Sequence, residues 1–176
     1  SLGFKVVAWS LGGLVLTIIY PFCKRFIKSP QVILGLTFSW SIPMAYVACG
    51  SEFNPSMFFL WVGVLIWIVV YDTFYALVDI DDDLKTGVFS TAILFGDKVS
   101  FVTSLSQITV LVLWAYLGTI LEMSLIYFLM LIVVLLLFYR QQLLISAREK
   151  KDCFRAFNES WYVGFFHFLG IFLSLL

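Results

Sequence analysis

An all-helical bundle that crosses a lipid bilayer several times is the fold class this sequence predicts, and three observations predict it. Of its 176 residues, 62% are hydrophobic and only 12% charged, with a mean hydropathy of +1.02, far outside the range of soluble domains. The apolar residues are gathered into about six runs, each close to the roughly 20 residues a helix needs to span the hydrocarbon core. Aromatic residues are abundant, 19 Phe, 8 Tyr and 6 Trp, which suits helix packing and the interfacial belts where a ring has one apolar and one wet side. With 11 basic and 11 acidic side chains, and the basic ones in short clusters between apolar runs, a nucleic-acid-binding surface is excluded.

The runs cover residues 3–21, 32–50, 57–78, 99–120, 123–140 and 160–176. Pro21, Pro30 and Pro55 are expected in the connections, because proline lacks the N–H that a helix interior uses. Pro43 falls inside the second run, where it should kink the helix and free a carbonyl that neighbouring helices or a cavity must satisfy. No internal repeat, low-complexity segment or second domain interrupts residues 1–176, which read as one transmembrane domain. Cys23, Cys49 and Cys153 are widely spaced, without CxxC pairing, and read as free thiols. The chain starts at Ser1, and its first apolar run has neither the basic flank nor the small-residue cleavage site of a signal peptide, so the sequence is expected to be N-terminally truncated.

If successive spans alternate in direction, three connections share one side of the membrane. They hold Lys24, Arg25 and Lys28, then Lys85 and Lys98, then Arg140, Arg148, Lys150, Lys151 and Arg155. The opposite connections offer little beyond Glu52 and Glu122. The positive-inside rule makes the basic side cytoplasmic, and the first basic connection then shares a face with the acidic end of the third run.

That acidic end is the most informative stretch. Asp72, Asp79 and Asp83 are separated by seven and four residues, so at about 100° per residue they lie within roughly 40° of one another on a helix. Asp81 points the opposite way and Asp82 to the flank, so both are expected to be solvated. Ala76, on the same stripe as the three, is expected to leave room for a ligand. Carboxylates this close repel one another, and near the membrane they must take up protons or bind a cation. Hard oxygen donors with positions left to water suit Mg²⁺ bridging to substrate phosphates. Such an ion would stabilise charge developing on a diphosphate leaving group. Lys85, and Lys24 with Arg25 across the face, are candidates to bind the remaining phosphate oxygens.

At these residues the sequence resembles the UbiA superfamily of membrane prenyltransferases, and within it the bacterial 4-hydroxybenzoate polyprenyltransferases. The second Asp-rich motif of that family reads here as Asp72-Thr73-Phe74-Tyr75-Ala76-Leu77-Val78-Asp79-Ile80-Asp81-Asp82-Asp83, followed by Lys85-Thr86-Gly87 and Ser90-Thr91. Further similarity lies in Tyr20-Pro21-Phe22-Cys23-Lys24-Arg25, in Pro30-Gln31-Val32-Ile33-Leu34-Gly35, in Trp40-Ser41-Ile42-Pro43 and in Cys153-Phe154-Arg155-Ala156-Phe157, so it covers essentially the whole chain. The resemblance implies an all-helical fold of nine spans around a cavity open to the cytoplasm and to lipid, of which the runs counted above match the last six. It implies Asp79 and Asp83 as Mg²⁺ ligands, Asp72 as a ligand or supporting partner, and Tyr20, Lys24 and Arg25 as diphosphate-binding groups. It further implies transfer of a polyprenyl group from polyprenyl diphosphate to 4-hydroxybenzoate in ubiquinone biosynthesis, in the bacterial inner membrane. The family's first motif, Asn-Asp-x-x-Asp, is absent from these residues, and the chain alone is expected not to turn over.

Other positions carry weaker expectations. Aromatic walls can stabilise an allylic cation and exclude water, and Phe38, Trp40, Trp67, Phe74 and Tyr75 are candidates, Tyr75 alone lying within the motif. Ser41, beside the Pro43 kink, is a candidate cavity residue. His167, the only histidine, has no carboxylate at helical spacing and reads as a helix-helix hydrogen-bonding group. A cation-coupled transporter is the alternative in another functional class, since acidic groups at a membrane can bind transported ions. Nothing in the sequence fixes the oligomeric state.

Overall fold

In the computed structural model, residues 3–176 are described, and they form helices joined by short turns, with no strand among them. The helices are α1 (Gly3–Phe26), α2 (Pro30–Ser39), α3 (Ser41–Ala48), α4 (Pro55–Thr86), α5 (Thr91–Phe95), α6 (Val99–Ile120), α7 (Leu125–Ile145), α8 (Lys150–Asn158) and α9 (Ser160–Ser174), with a 3₁₀ turn at Gly96–Lys98. Five segments are long and apolar enough to cross a membrane: α1, α2 with α3, α4, α5 through α6, and α7. The sixth expected span, α9, has 15 residues, about 22 Å at 1.5 Å per residue against a hydrocarbon core of roughly 30 Å. Part of the charged run before it is taken up by the separate helix α8.

Local chemistry explains most of the boundaries. Asn54 caps α4 by accepting the Met57 N–H at 2.9 Å, with Pro55 at the first helical position. Gly87 ends the same helix at φ 69°, the left-handed conformation that glycine adopts without strain. The second span breaks at Trp40 into α2 and α3, three residues before Pro43, as the missing proline N–H requires. Trp40 steadies the break by donating its indole N–H to the Trp9 carbonyl at 2.9 Å.

Pro21 departs from expectation. It lies inside α1, which continues to Phe26. Proline removes one helical hydrogen bond, but the last turn is held from outside, because the Phe89 N–H donates to the Lys24 carbonyl at 2.8 Å. The extension places Tyr20 and Lys24, four residues apart, on one face.

Helix α4 is the axis of the bundle, packing against α2, α5, α6 and α8. Its 32 residues run about 48 Å, so its last turns project beyond the hydrocarbon. One core cluster surrounds that projecting part, with Phe74, Ala76, Ala92, Val99, Ile145, Cys153 and Ala156. A second, farther along α6 and α7, holds Trp114, Tyr127, Val134 and Val163. Lipid supplies little hydrophobic drive between helices, so close packing and internal hydrogen bonds take its place. Gln107 donates to Gln141 at 2.9 Å, Gln142 to Gln107 at 2.8 Å, and Gln141 to Ser160 at 3.0 Å, joining α6, α7 and α9. His167 stacks on Trp114, centroids 3.7 Å apart and planes 6° off parallel, and lies 3.2 Å from the Tyr127 hydroxyl. It is the helix-helix group the sequence led us to expect.

Candidate active site

The three basic connections meet at one end of the bundle. Lys150 of α8 reaches Asp81 at 2.9 Å, Arg148 reaches Asp97 at 3.3 Å and the Gly96 carbonyl at 3.0 Å, and Phe89 is tied to α1 through Lys24. This end also holds the carboxylates of α4.

Asp72, Asp79 and Asp83 are half-buried, whereas Asp81 and Asp82 are exposed, the division that the helical spacing gave. Each exposed pair of charges finds its own partner: Asp81 takes Lys150, and Asp82 takes Lys85 at 3.2 Å. Lys85 is thereby turned to the solvated flank. Among the described residues the three half-buried aspartates take part in no ion pair within 4.0 Å, although Lys24 of α1 faces both Asp72 and Asp83. Tyr20, one turn before Lys24, is half-buried and turned toward the same two carboxylates. Arg25 is exposed, about 100° around α1 from Lys24. Thus α1 offers one cation and one phenol to a stripe of three negative groups.

Polar contacts that the spacing did not reveal support the stripe. The Gln31 amide oxygen accepts the Thr91 N–H at 2.9 Å, and the Ser90 hydroxyl accepts the Ile93 N–H at 3.4 Å. Thr73 and Thr91 hydroxyls are 2.7 Å apart, both buried. The signal for Gln31 was a polar residue at the start of an apolar run, and its partner lies 60 residues away. Ala76 corrects an expectation. It is buried in the core cluster with Ala92, Cys153 and Ala156, so its size admits a neighbouring helix instead of a ligand.

Aromatic rings form a wall on the α8 side. Phe157 stands 5.1 Å from Tyr75 and 5.9 Å from Tyr71, ring centre to ring centre. A cavity of about 380 Å³ opens there, lined by Trp67, Tyr71, Phe157, Asn158, Ser160 and Trp161. Phe74 is fully buried and packs the core, and Phe38 is largely exposed and lines the same cavity as Ser41. Ser41 bonds the Phe38 carbonyl at 3.0 Å and lines a second cavity, about 490 Å³, between α1 and the α2–α3 break. Thr17, one turn before Tyr20, lines that cavity as well.

The electrostatics outside the spans are those of a solvated rim. The Lys150 ammonium is held above its ordinary range by the hydrogen bond it donates to the Asp81 carboxylate. Glu159, between α8 and α9, is held below the usual carboxylate range by Arg140, at 2.7 and 3.0 Å, and by Arg155 at 2.8 Å.

Comparison with known proteins places this arrangement. The UbiA prenyltransferase family model matches residues 1–170. The chain is 48% identical over 167 residues to the 4-hydroxybenzoate octaprenyltransferase of Psychromonas ingrahamii, covering 95% of this chain and 58% of that protein. It is 46% identical over 175 residues to the protein of the same name from Edwardsiella ictaluri, covering 99% and 61%. The chain therefore spans about three-fifths of the length of these relatives. Among solved structures, the apo UbiA homolog from Aeropyrum pernix K1 superposes with a TM-score of 0.83 at 20% identity, covering 99% of this chain and 66% of that one. A structure described as digeranylgeranylglyceryl phosphate synthase gives 0.76 at 15% identity, covering 98% and 62%. These two show the fold, that of a multi-pass membrane protein.

Proposed function

The chain belongs to the UbiA prenyltransferase family, and from that premise we propose that it forms the second half of a site which transfers a polyprenyl group from polyprenyl diphosphate to the ring of 4-hydroxybenzoate, in ubiquinone biosynthesis. The observation that carries the reading is the stripe of half-buried Asp72, Asp79 and Asp83 opposed by Lys24 and Tyr20. Three negative groups with one facing cation leave an uncompensated charge, which a divalent ion fits. Among the described residues no three acidic, thiol or imidazole groups stand close enough to cage an ion alone. That partial set suits Mg²⁺, which is commonly held by one or two carboxylates together with water and substrate phosphate oxygens.

In the proposed reaction Asp79 and Asp83 would hold the ion, and Asp72, about 10 Å earlier along α4, would be a supporting partner and not a third ligand of the same ion. Bound there, Mg²⁺ supplies charge stabilisation to the departing diphosphate. Lys24 and the Tyr20 hydroxyl bind its remaining oxygens. Lys85 and Arg25, both exposed, are expected to draw the anion toward the site rather than grip it. The bond between the allylic carbon and the diphosphate oxygen breaks, the ring carbon ortho to the phenol forms the new C–C bond, and the ring proton is released with the diphosphate. The Tyr71, Tyr75 and Phe157 wall keeps water from the electron-poor carbon. The basic connections gathered at this end support a cytoplasmic orientation in a bacterial inner membrane. A transporter reading lacks such support, since the carboxylates lie in the last half of a roughly 48 Å helix instead of at a broken midplane segment.

The test is Mg²⁺-dependent prenylation of 4-hydroxybenzoate by this chain and by a form extended upstream with its natural sequence. Asp79→Asn or Asp83→Asn should lower turnover of the active form by roughly 100-fold or more, and chelation should abolish it. Unchanged turnover in both variants would refute the assignment.

A further inference from the structure

At the end of the bundle remote from the acidic one, two further cavities share a wall. The first, about 470 Å³, lies between the start of α1 and the turn that joins α3 to α4, with Lys5, Trp9, Ser51, Glu52 and Phe53 in its lining. The second, also about 470 Å³, sits beside the α2–α3 break, against Pro43, Met57, Phe58 and Trp61. Trp9 and Phe53 line both. Their rings meet edge to face, centres 5.1 Å apart. Trp9 is held from its other side by Trp40, whose ring lies 5.2 Å away and whose indole N–H donates to the Trp9 carbonyl.

The two spaces differ in chemistry. The first carries one charge of each sign, and among the described residues neither Lys5 nor Glu52 takes part in an ion pair within 4.0 Å. The amides of Glu52 and Phe53, in the turn that follows Gly50 at φ 69°, donate to no backbone carbonyl among the described residues. The second space offers almost nothing polar. The Trp61 N–H is spent on the Ser39 hydroxyl oxygen at 3.0 Å, and the Asn54 side-chain oxygen accepts the Met57 N–H at 2.9 Å. A cation beside free amides suits a phosphate, a carboxylate suits an ammonium, and the apolar space next door suits a hydrocarbon chain. Aromatic rings between a wet and a dry space are what a membrane interface favours.

We propose that these two cavities hold one zwitterionic phospholipid with a primary ammonium headgroup. Its phosphate lies on Lys5 and the turn amides, its ammonium on Glu52, and one acyl chain passes behind Trp9 and Phe53 to Phe58 and Trp61. A headgroup with only a negative charge meets repulsion from Glu52, and one with only a positive charge meets repulsion from Lys5. The site is separate from the metal–diphosphate reading, because Lys5 stands roughly 28 Å along α1 from Lys24.

Native mass spectrometry of the purified protein tests this, on the present chain and on the form extended upstream with its natural sequence. Phosphatidylethanolamine, phosphatidylcholine and phosphatidylglycerol with identical acyl chains are added separately, and the bound fractions give apparent affinities, with thermal unfolding measured in parallel. The parent should retain one phosphatidylethanolamine roughly threefold to fivefold more tightly than either of the others, the range that an exposed ion pair supplies. Phosphatidylcholine has no N–H to donate to Glu52, and phosphatidylglycerol has no cation. Glu52→Gln should erase the preference for ethanolamine over choline, and Glu52→Lys should turn the preference toward phosphatidylglycerol. Lys5→Met should weaken retention of all three. Lys151→Met, at the other end of the bundle, should keep the parent's ranking. Equal retention of the three lipids by the parent would overturn the proposal, and so would a folded Glu52→Gln or Glu52→Lys protein with the parent's preference. Loss of the preference in the extended form would show that residues upstream fill the cavities, and would overturn it as well.

Discussion

Replacing Gly118 by alanine should destabilise the bundle while leaving the chemistry of the acidic end alone. A methyl group added at Gly118 would sit 2.5 to 2.8 Å from ring carbons of Tyr127, well inside van der Waals contact. The ring has no room to retreat: Tyr127 is fully buried, and its hydroxyl donates to the Trp114 carbonyl at 2.8 Å and contacts His167 at 3.2 Å. Overpacking a tight core costs about 1–3 kcal/mol, and losing the displaced hydroxyl's bonds adds about 0.5–1.5 kcal/mol. The sum, about 1.5–4.5 kcal/mol, corresponds to a fall in melting temperature of roughly 3–18 °C for a chain of this size. Thermal unfolding in nanodiscs measures it, with Mn²⁺ binding at low temperature as the second readout. Gly118 lies near the end of α6 remote from Val99 and the acidic end, so metal affinity of the folded fraction should be unchanged. Tyr127→Phe isolates the hydroxyl contribution and should account for the smaller part of the loss. A melting temperature within 1 °C of the parent would show that α6 and α7 can separate freely, and the close-packing argument would be wrong.

Gln107→Leu should cost about 1–3 kcal/mol, because it leaves the Gln141 oxygen and the Gln142 amide without their partner inside the bundle; a double-mutant cycle with Gln141→Leu should be strongly non-additive. Lys150→Met breaks an ion pair between two well-exposed groups, and such pairs contribute little, so unfolding in moderate salt should be indistinguishable from the parent. Glu159 has its folded-state pKa below the unfolded value. Its stabilising contribution is therefore complete above the ordinary glutamate range and is lost as pH falls through the lowered folded value. Melting temperatures between pH 7 and pH 3 should fall less steeply in Glu159→Gln than in the parent, and parallel curves would contradict this.

What the sequence made legible follows from periodicity. Asp72, Asp79 and Asp83 fall on one face because one helix of constant pitch carries them, and the half-buried set in the structure is that set. The boundary of the fourth run, 99–120, coincides with α6. Errors arose where a distant partner decided the local conformation. Pro21 was assigned to a connection by a local rule, but the Phe89 N–H carries α1 past it. Ala76 shares the angular position of the aspartates, yet its surroundings are set by α5 and α8, which periodicity along α4 does not register. Helix α8 escaped notice because nine mixed-charge residues look like a loop until their Cys153 and Ala156 face is seen buried. Gln31 and Thr91 are 60 positions apart, and no reading along the chain pairs them.

The bond between Phe89 and Lys24 runs from main chain to main chain, and this has a consequence for how the protein tolerates drift. The Val88 N–H, which donates to the Asp83 carbonyl at 3.1 Å, is of the same kind, whereas contacts made by side chains are open to loss by a single codon change. The bond to Lys24 belongs to the peptide unit and does not depend on the side chain at either residue, proline excepted. The spacing between the cation-bearing helix and the acidic one is thus inherited with the backbone, whichever side chains stand at these two positions.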